Sequence, residues 1–229
     1  MYEYIKENIN EVRDRIGEAA IKCGRRPEEI ALVAVSKTFP AEIVKAAVEY
    51  GMTELGESRL QEAEPKIEKL GDIATWHMIG HLQTNKAKRA VELFPIIQSL
   101  DSMRLAEELD KRAANIDKKI DCLIEINSSG EESKYGFHPD KTMTALSRFK
   151  EYKHLNLRGV MTIGPLVDET KKIRRAFQLT RSLFEKGREI VGDKFNILSM
   201  GMSSDFELAI AEGSNMVRIG TAIFGLRKK

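Results

Sequence analysis

Three groups of residues have types and spacing that could do chemistry: one lysine, two polar loops with an arginine between them, and a histidine pair. Lys37 comes just after the run Ile30-Ala-Leu-Val-Ala-Val35. A short, continuous apolar run rich in β-branched residues is a strand buried on both faces. A lysine rooted at its end is partly desolvated, which favours the neutral amine that condenses with a carbonyl to give an imine. The same position equally suits a lysine that snorkels to solvent.

The second group lies between Ser199 and Gly225. Ser204-Asp-Phe-Glu207 has capping-box spacing, with Ser204 as the N-cap. Ser203 and Ser204 would then sit where backbone N–H groups point outward. Gly220-Thr221 follows the last apolar run. Amides, hydroxyls and an unobstructed glycine backbone suit a phosphate dianion, although ordinary turn chemistry uses the same residues. Arg218, within the short run Met-Val-Arg-Ile, is expected to point into a cleft or against a carboxylate; a structural ion pair is the alternative.

His77 and His81 flank Met78-Ile79-Gly80, and no cysteine or carboxylate completes a metal set around them, so zinc is not expected. His77 reads as packed or hydrogen-bonded structure, and His81 as a residue at a strand mouth. Met200 and Met202 read as core packing. No G-x-S-x-G elbow, Walker A loop or dinucleotide fingerprint occurs.

The elements that must position these groups alternate. Helical spacing covers 2–23 (Ile5, Ile9, Val12, Ile16) and ends at Gly24. Strands are expected at 30–35, 54–55, 76–79, 96–100, 120–126, 157–163, 196–200 and 216–219. Helices are expected at 40–50, 59–70, 84–93, 102–114, 139–149, 169–190 and 205–212, with Pro65 at a break or in a first turn. Eight strands alternating with helices predict a single (β/α)8 TIM-type barrel. The extra N-terminal helix would cover the face left bare by a missing last one. The working face of such a barrel is at the C-terminal ends of its strands, and Lys37, Ser203 and Gly220 fall there. No Gly/Ser/Pro-rich linker divides the 229 residues, so one domain over 1–229 is expected.

Composition narrows the function classes. The chain has 37 basic and 35 acidic residues, a balance that does not support nucleic-acid binding by a charged face. No apolar run approaches about 18 residues, so no membrane span is expected. Residues 1–10 carry Glu3, Lys6 and Glu7, unlike the apolar core of a signal peptide. Cys23 and Cys122 form no C-x-x-C pair, and a reducing cytoplasm suits two unpaired thiols.

Five stretches carry a family resemblance: Ala34-Val-Ser-Lys-Thr38, Trp76-His-Met-Ile-Gly-His-Leu-Gln-Thr-Asn-Lys86, Leu157-Arg-Gly-Val-Met161, Ser199-Met-Gly-Met-Ser203 and Val217-Arg-Ile-Gly-Thr-Ala-Ile-Phe-Gly225. Together they resemble the pyridoxal phosphate (PLP) homeostasis proteins, which are similar to the N-terminal barrel domain of alanine racemase. The resemblance implies that Lys37 carries a Schiff base to PLP and that Arg218 faces its pyridine nitrogen. Ser203, Gly220 and Thr221 would hold the phosphate, with Ser204 assisting, and Met202 and Ile79 would pack near the ring. The family's Gly-Glu-Asn stretch reads Gly56-Glu57-Ser58 here, which puts one contact near the cofactor in doubt.

An arginine at the pyridine nitrogen keeps it unprotonated and weakens the cofactor's electron sink. The expected function is therefore PLP binding in intracellular PLP homeostasis without robust catalysis, by a monomer that passes PLP transiently to client enzymes. Racemisation needs an acid/base on each face of the amino acid. Alanine racemase draws one from a further domain, for which a chain ending at Lys229 is not expected to have room. A narrow-scope racemase is the alternative reading. A sugar-phosphate-binding barrel without a Schiff base is a third.

Overall fold

The computed structural model describes residues 2–131, 134–165 and 167–226. The first helix, α1 (Glu3–Lys22), buries Ile5, Ile9, Val12, Ile16, Ala19 and Ala20 along one stripe. Burial of each larger side chain contributes roughly 1.5–3 kcal/mol. Eight βα units follow: β1 (Ala31–Val35), α2 (Ala41–Glu49), β2 (Glu54–Glu57), α3 (Leu60–Leu70), β3 (Thr75–Met78), α4 (Ala87–Leu93), β4 (Ile96–Leu100), α5 (Met103–Ala114), β5 (Ile120–Glu125), α6 (Pro139–Arg148), β6 (Leu155–Met161), α7 (Thr170–Val191), β7 (Ile197–Ser199), α8 (Phe206–Ala211), β8 (Met216–Ile219) and α9 (Thr221–Phe224).

The strands close in chain order, and every pairing is parallel. This is the TIM-type barrel expected from the alternation. The seam joins first strand to last, with Ala31 opposite Met216 and Ala34 opposite Ile219. α1 lies against α2, α8 and α9. It is tied there by Asn8 donating to the Ile223 carbonyl at 2.8 Å, by the Arg15–Glu207 ion pair, and by Arg15 over the Phe206 ring.

Three expectations need correction. Pro65 causes neither a break nor a first turn: α3 runs through it. Pro65 is exposed, so the carbonyl deprived of its N–H donor can be served by water. β6 begins and ends two residues earlier than expected, because Leu155 already pairs with Ile120 and the chain leaves the sheet after Met161. The last strand is followed by a helix after all, the short α9.

No described helix is long and apolar enough to cross a membrane. No cluster of three or more His, Cys, Asp or Glu suited to a metal occurs among the described residues. Cys23 is exposed and Cys122 buried, and both are free thiols.

Candidate functional site

A cleft of about 490 Å³ opens at the C-terminal ends of the strands. Lys37, Ile79, Met202, Ser203, Ser204, Arg218, Gly220 and Thr221 all line it, together with Val35, Ser58, Gly80 and Ile163. The structure thus brings the eight residues that the family resemblance assigns to the cofactor around one cavity.

Lys37 extends from the end of β1, on a backbone that is tightly held. Ser36, one residue earlier, is buried and donates to Glu57 Oε1 at 2.6 Å. Lys66 of α3 donates both to the Ser36 carbonyl at 2.8 Å and to Glu57 Oε1 at 2.7 Å. One residue later, Thr38 sits at φ 70°. A β-branched residue in the left-handed region is strained, by about 1–3 kcal/mol. The Glu62 carboxylate holds it there by accepting the Thr38 N–H at 3.0 Å. Burial pushes the Glu57 carboxyl up, against the pull of Lys66.

The floor is shaped by absent side chains. A Cβ at Gly80 would overlap the Ser58 backbone. One at Gly220 would press on the Val35 carbonyl at 3.1 Å. Flat apolar surface comes from Val35, Ile79, Ile163 and Met202.

The opposite wall carries the hydroxyls. The expected cap is corrected here: the residue preceding α8 is Asp205, not Ser204, and its side chain does not cap the helix. Asp205 Oδ1 instead accepts the Met202 N–H at 2.6 Å, which folds the loop back and leaves Ser204 exposed at the cleft. Across from it, Ser203 Oγ accepts the Ala222 N–H at 3.4 Å, linking the two polar loops.

Arg218 is buried, and its acceptors are neutral oxygens: Nη1 donates to Ser199 Oγ at 2.6 Å and Nη2 to the Thr162 carbonyl at 2.8 Å. Burial pushes the guanidinium down to about 10, opposed by the charges of Glu125 and Asp205, so it stays a cation at neutral pH. Sequence reasoning missed Ser199 and Thr162 as its partners. Their signal is a hydroxyl residue at the end of a short apolar strand.

A smaller cavity of about 180 Å³ adjoins the cleft, sharing Ile79, Gly80 and Ile163. Glu125, buried at the end of β5, lines it, and its Oε2 has no hydrogen-bond partner among the described residues. Burial raises its carboxyl to about 7, helped by Asp101 and opposed by Arg218. His81 sits at the same mouth, bonded to Asp101 at 2.7 Å and stacked on Tyr135 at 3.6 Å. His77, by contrast, is fully buried inside the barrel.

The chain can be placed among known proteins. A sequence model described as alanine racemase, N-terminal domain, matches residues 3–228. Pyridoxal phosphate homeostasis proteins of Aquifex aeolicus and Escherichia coli are 39% and 40% identical to it, each over 97% of this chain and over 98% and 97% of their own lengths. The chain belongs to the pyridoxal phosphate homeostasis protein family. Within solved structures, PipY of Synechococcus elongatus with PLP bound superposes with a TM-score of 0.83 at 33% identity, over 96% of this chain and 100% of that one. The alanine racemase of Corynebacterium glutamicum shares the fold, with a TM-score of 0.77 at 17% identity, and this chain spans 62% of it.

Proposed function

We propose that this protein binds PLP in the cleft, holds it as a Schiff base on Lys37, and serves intracellular PLP homeostasis without robust turnover. When bound, PLP supplies an aldehyde for imine formation and an electron sink. The residues fit such a group. Lys37 offers the amine. Ser203, Gly220 and Thr221, with Ser204, offer hydroxyls and backbone amides to the phosphate. Ile79 and Met202 offer apolar surface to the ring.

The observation that carries the reading is Arg218. It lines the cleft, and its buried guanidinium donates to neutral oxygens among the described residues, so it offers the cleft a cation that those bonds do not neutralise. A donor-only group at the pyridine nitrogen keeps that nitrogen an acceptor and leaves the electron sink weak. Anchoring is thereby favoured over deprotonation of a bound amino acid. On this reading the 1–229 barrel is one domain, acting as a cytoplasmic monomer that yields PLP transiently to client enzymes, with no role for nucleic acid or membrane.

One observation favours a second reading, an amino-acid racemase of narrow scope. Glu125, raised to about 7, is a buried acid/base beside the cleft.

The experiment titrates wild type and Lys37→Ala with PLP. Wild type should show a band at roughly 420 nm, the Schiff-base signature, which the variant lacks. Identical spectra would overturn the assignment of Lys37. Incubation of the PLP-loaded protein with D- and L-amino acids should leave their configuration unchanged; sustained racemisation would favour the second reading.

A further inference from the structure

Arg218 is one end of a hydrogen-bond chain that crosses the barrel interior. It donates to Ser199 Oγ of β7 at 2.6 Å. Ser199 donates to Gln98 Oε1 of β4 at 2.7 Å. Gln98 Nε2 meets His77 Nδ1 of β3 at 2.8 Å, and His77 Nε2 meets Glu54 Oε2 of β2 at 2.6 Å. Ser199, Gln98 and His77 are fully buried. Glu54 opens β2, at the barrel end opposite the cleft, and its side chain is 31% exposed.

The two ends fix the direction of every link. A guanidinium only donates and a carboxylate only accepts. Each group between them must therefore accept from the Arg218 side and donate toward Glu54. Gln98 is held with its amide nitrogen toward His77, and the same nitrogen also reaches Met216 Sδ at 3.3 Å. His77 is held as the Nε2–H tautomer, with Nδ1 accepting. With a neutral imidazole, an amide flip would set two acceptors face to face at Glu54 and take the amide N–H away from Met216 Sδ. For that state the chain has one low-energy arrangement, and bonds aligned in this way polarise one another.

We propose that Glu54, His77, Gln98 and Ser199 are positioning residues for Arg218, holding its guanidinium plane toward the cleft from the far end of the barrel. This rests on the PLP reading above, because the consequence is felt at the pyridine nitrogen. A chain that merely satisfies buried polar atoms would affect stability alone. A positioning chain also controls what Arg218 presents to the ligand.

The test uses Gln98→Met, which cuts the chain midway and leaves every cleft residue in place. In the ligand-free wild type, NMR should resolve slowly rotating Arg218 Nη hydrogens and a His77 Nε2–H tautomer; in Gln98→Met the Arg218 signals should collapse. The PLP dissociation constant should rise about tenfold, the scale of one hydrogen bond to a charged group. The ¹⁵N shift of pyridine-labelled PLP should move toward that of the free compound. Glu54→Gln, at a partly exposed position, should give the same changes at smaller amplitude, and it serves if Gln98→Met does not fold. Unchanged Arg218 signals with an unchanged pyridine shift in either folded variant would overturn the proposal. A wild type that binds no PLP would instead overturn the proposed function, while the ligand-free spectra still decide whether the chain positions Arg218.

Discussion

Two carboxylates are buried at strand ends of the same barrel mouth, and their surroundings differ. Glu57, closing β2, shares its Oε1 with Lys66 and Ser36. Glu125, closing β5, has no ion-pair partner among the described residues and feels the longer-range attraction of Arg218 against the repulsion of Asp101. Burial raises both, but Lys66 restrains Glu57. The difference separates scaffold from reserve. A buried acid with its own cation locks the backbone that presents Lys37. A buried acid without one is free to take or release a proton near neutrality, on the far side of the same opening.

Removing the cation tests the lock most severely. Lys66→Met leaves Glu57 buried and unpaired, and should lower unfolding free energy by about 3–5 kcal/mol in urea denaturation. Adding Glu57→Leu should recover most of that loss, since an apolar pair of similar size replaces an ion pair at little cost. A loss below about 1 kcal/mol for Lys66→Met would place the pair among weak surface bridges instead.

The next effect belongs to Glu125. Its folded-state value, about 7, lies above its ordinary one near 4.5. The protonated form therefore favours the fold, fully so below the ordinary value. That contribution is lost as pH rises through about 7. Wild type should lose on the order of 3 kcal/mol between pH 4.5 and 8 from this group, and Glu125→Gln should remove that slope. Denaturation at several pH values measures it, and parallel slopes in both proteins would show that Glu125 is not the poised group. Smallest of all, Tyr135→Ala removes the stack on His81 and should cost about 0.5–1 kcal/mol, without altering the pH slope.

Much of this was legible in the sequence because a barrel puts its chemistry at strand ends, where the pattern breaks from apolar to small and polar. Lys37, Gly220 and Thr221 are marked in that way. The Glu57–Lys66 pair was not legible: one partner ends a strand, the other lies on a helix, and their meeting depends on how α3 packs. The chain through Gln98 and His77 was hidden for a related reason. A lone polar residue in a short strand shows that it needs a partner, but closure of the sheet decides which one. Ser204 misled because its capping-box spacing was sound, while the Asp205 carboxylate was already engaged with Met202.

The seam between β1 and β8 has a consequence for synthesis. Lys37 follows the first strand and Arg218 lies in the last, so the two sides of the cleft are separated by most of the chain until that pairing forms. A nascent or truncated product lacking β8 has the lysine without the pocket. On the proposed function, a ligand that binds only the closed barrel stabilises only the finished molecule, so ligand supply should set how much of the protein keeps its fold.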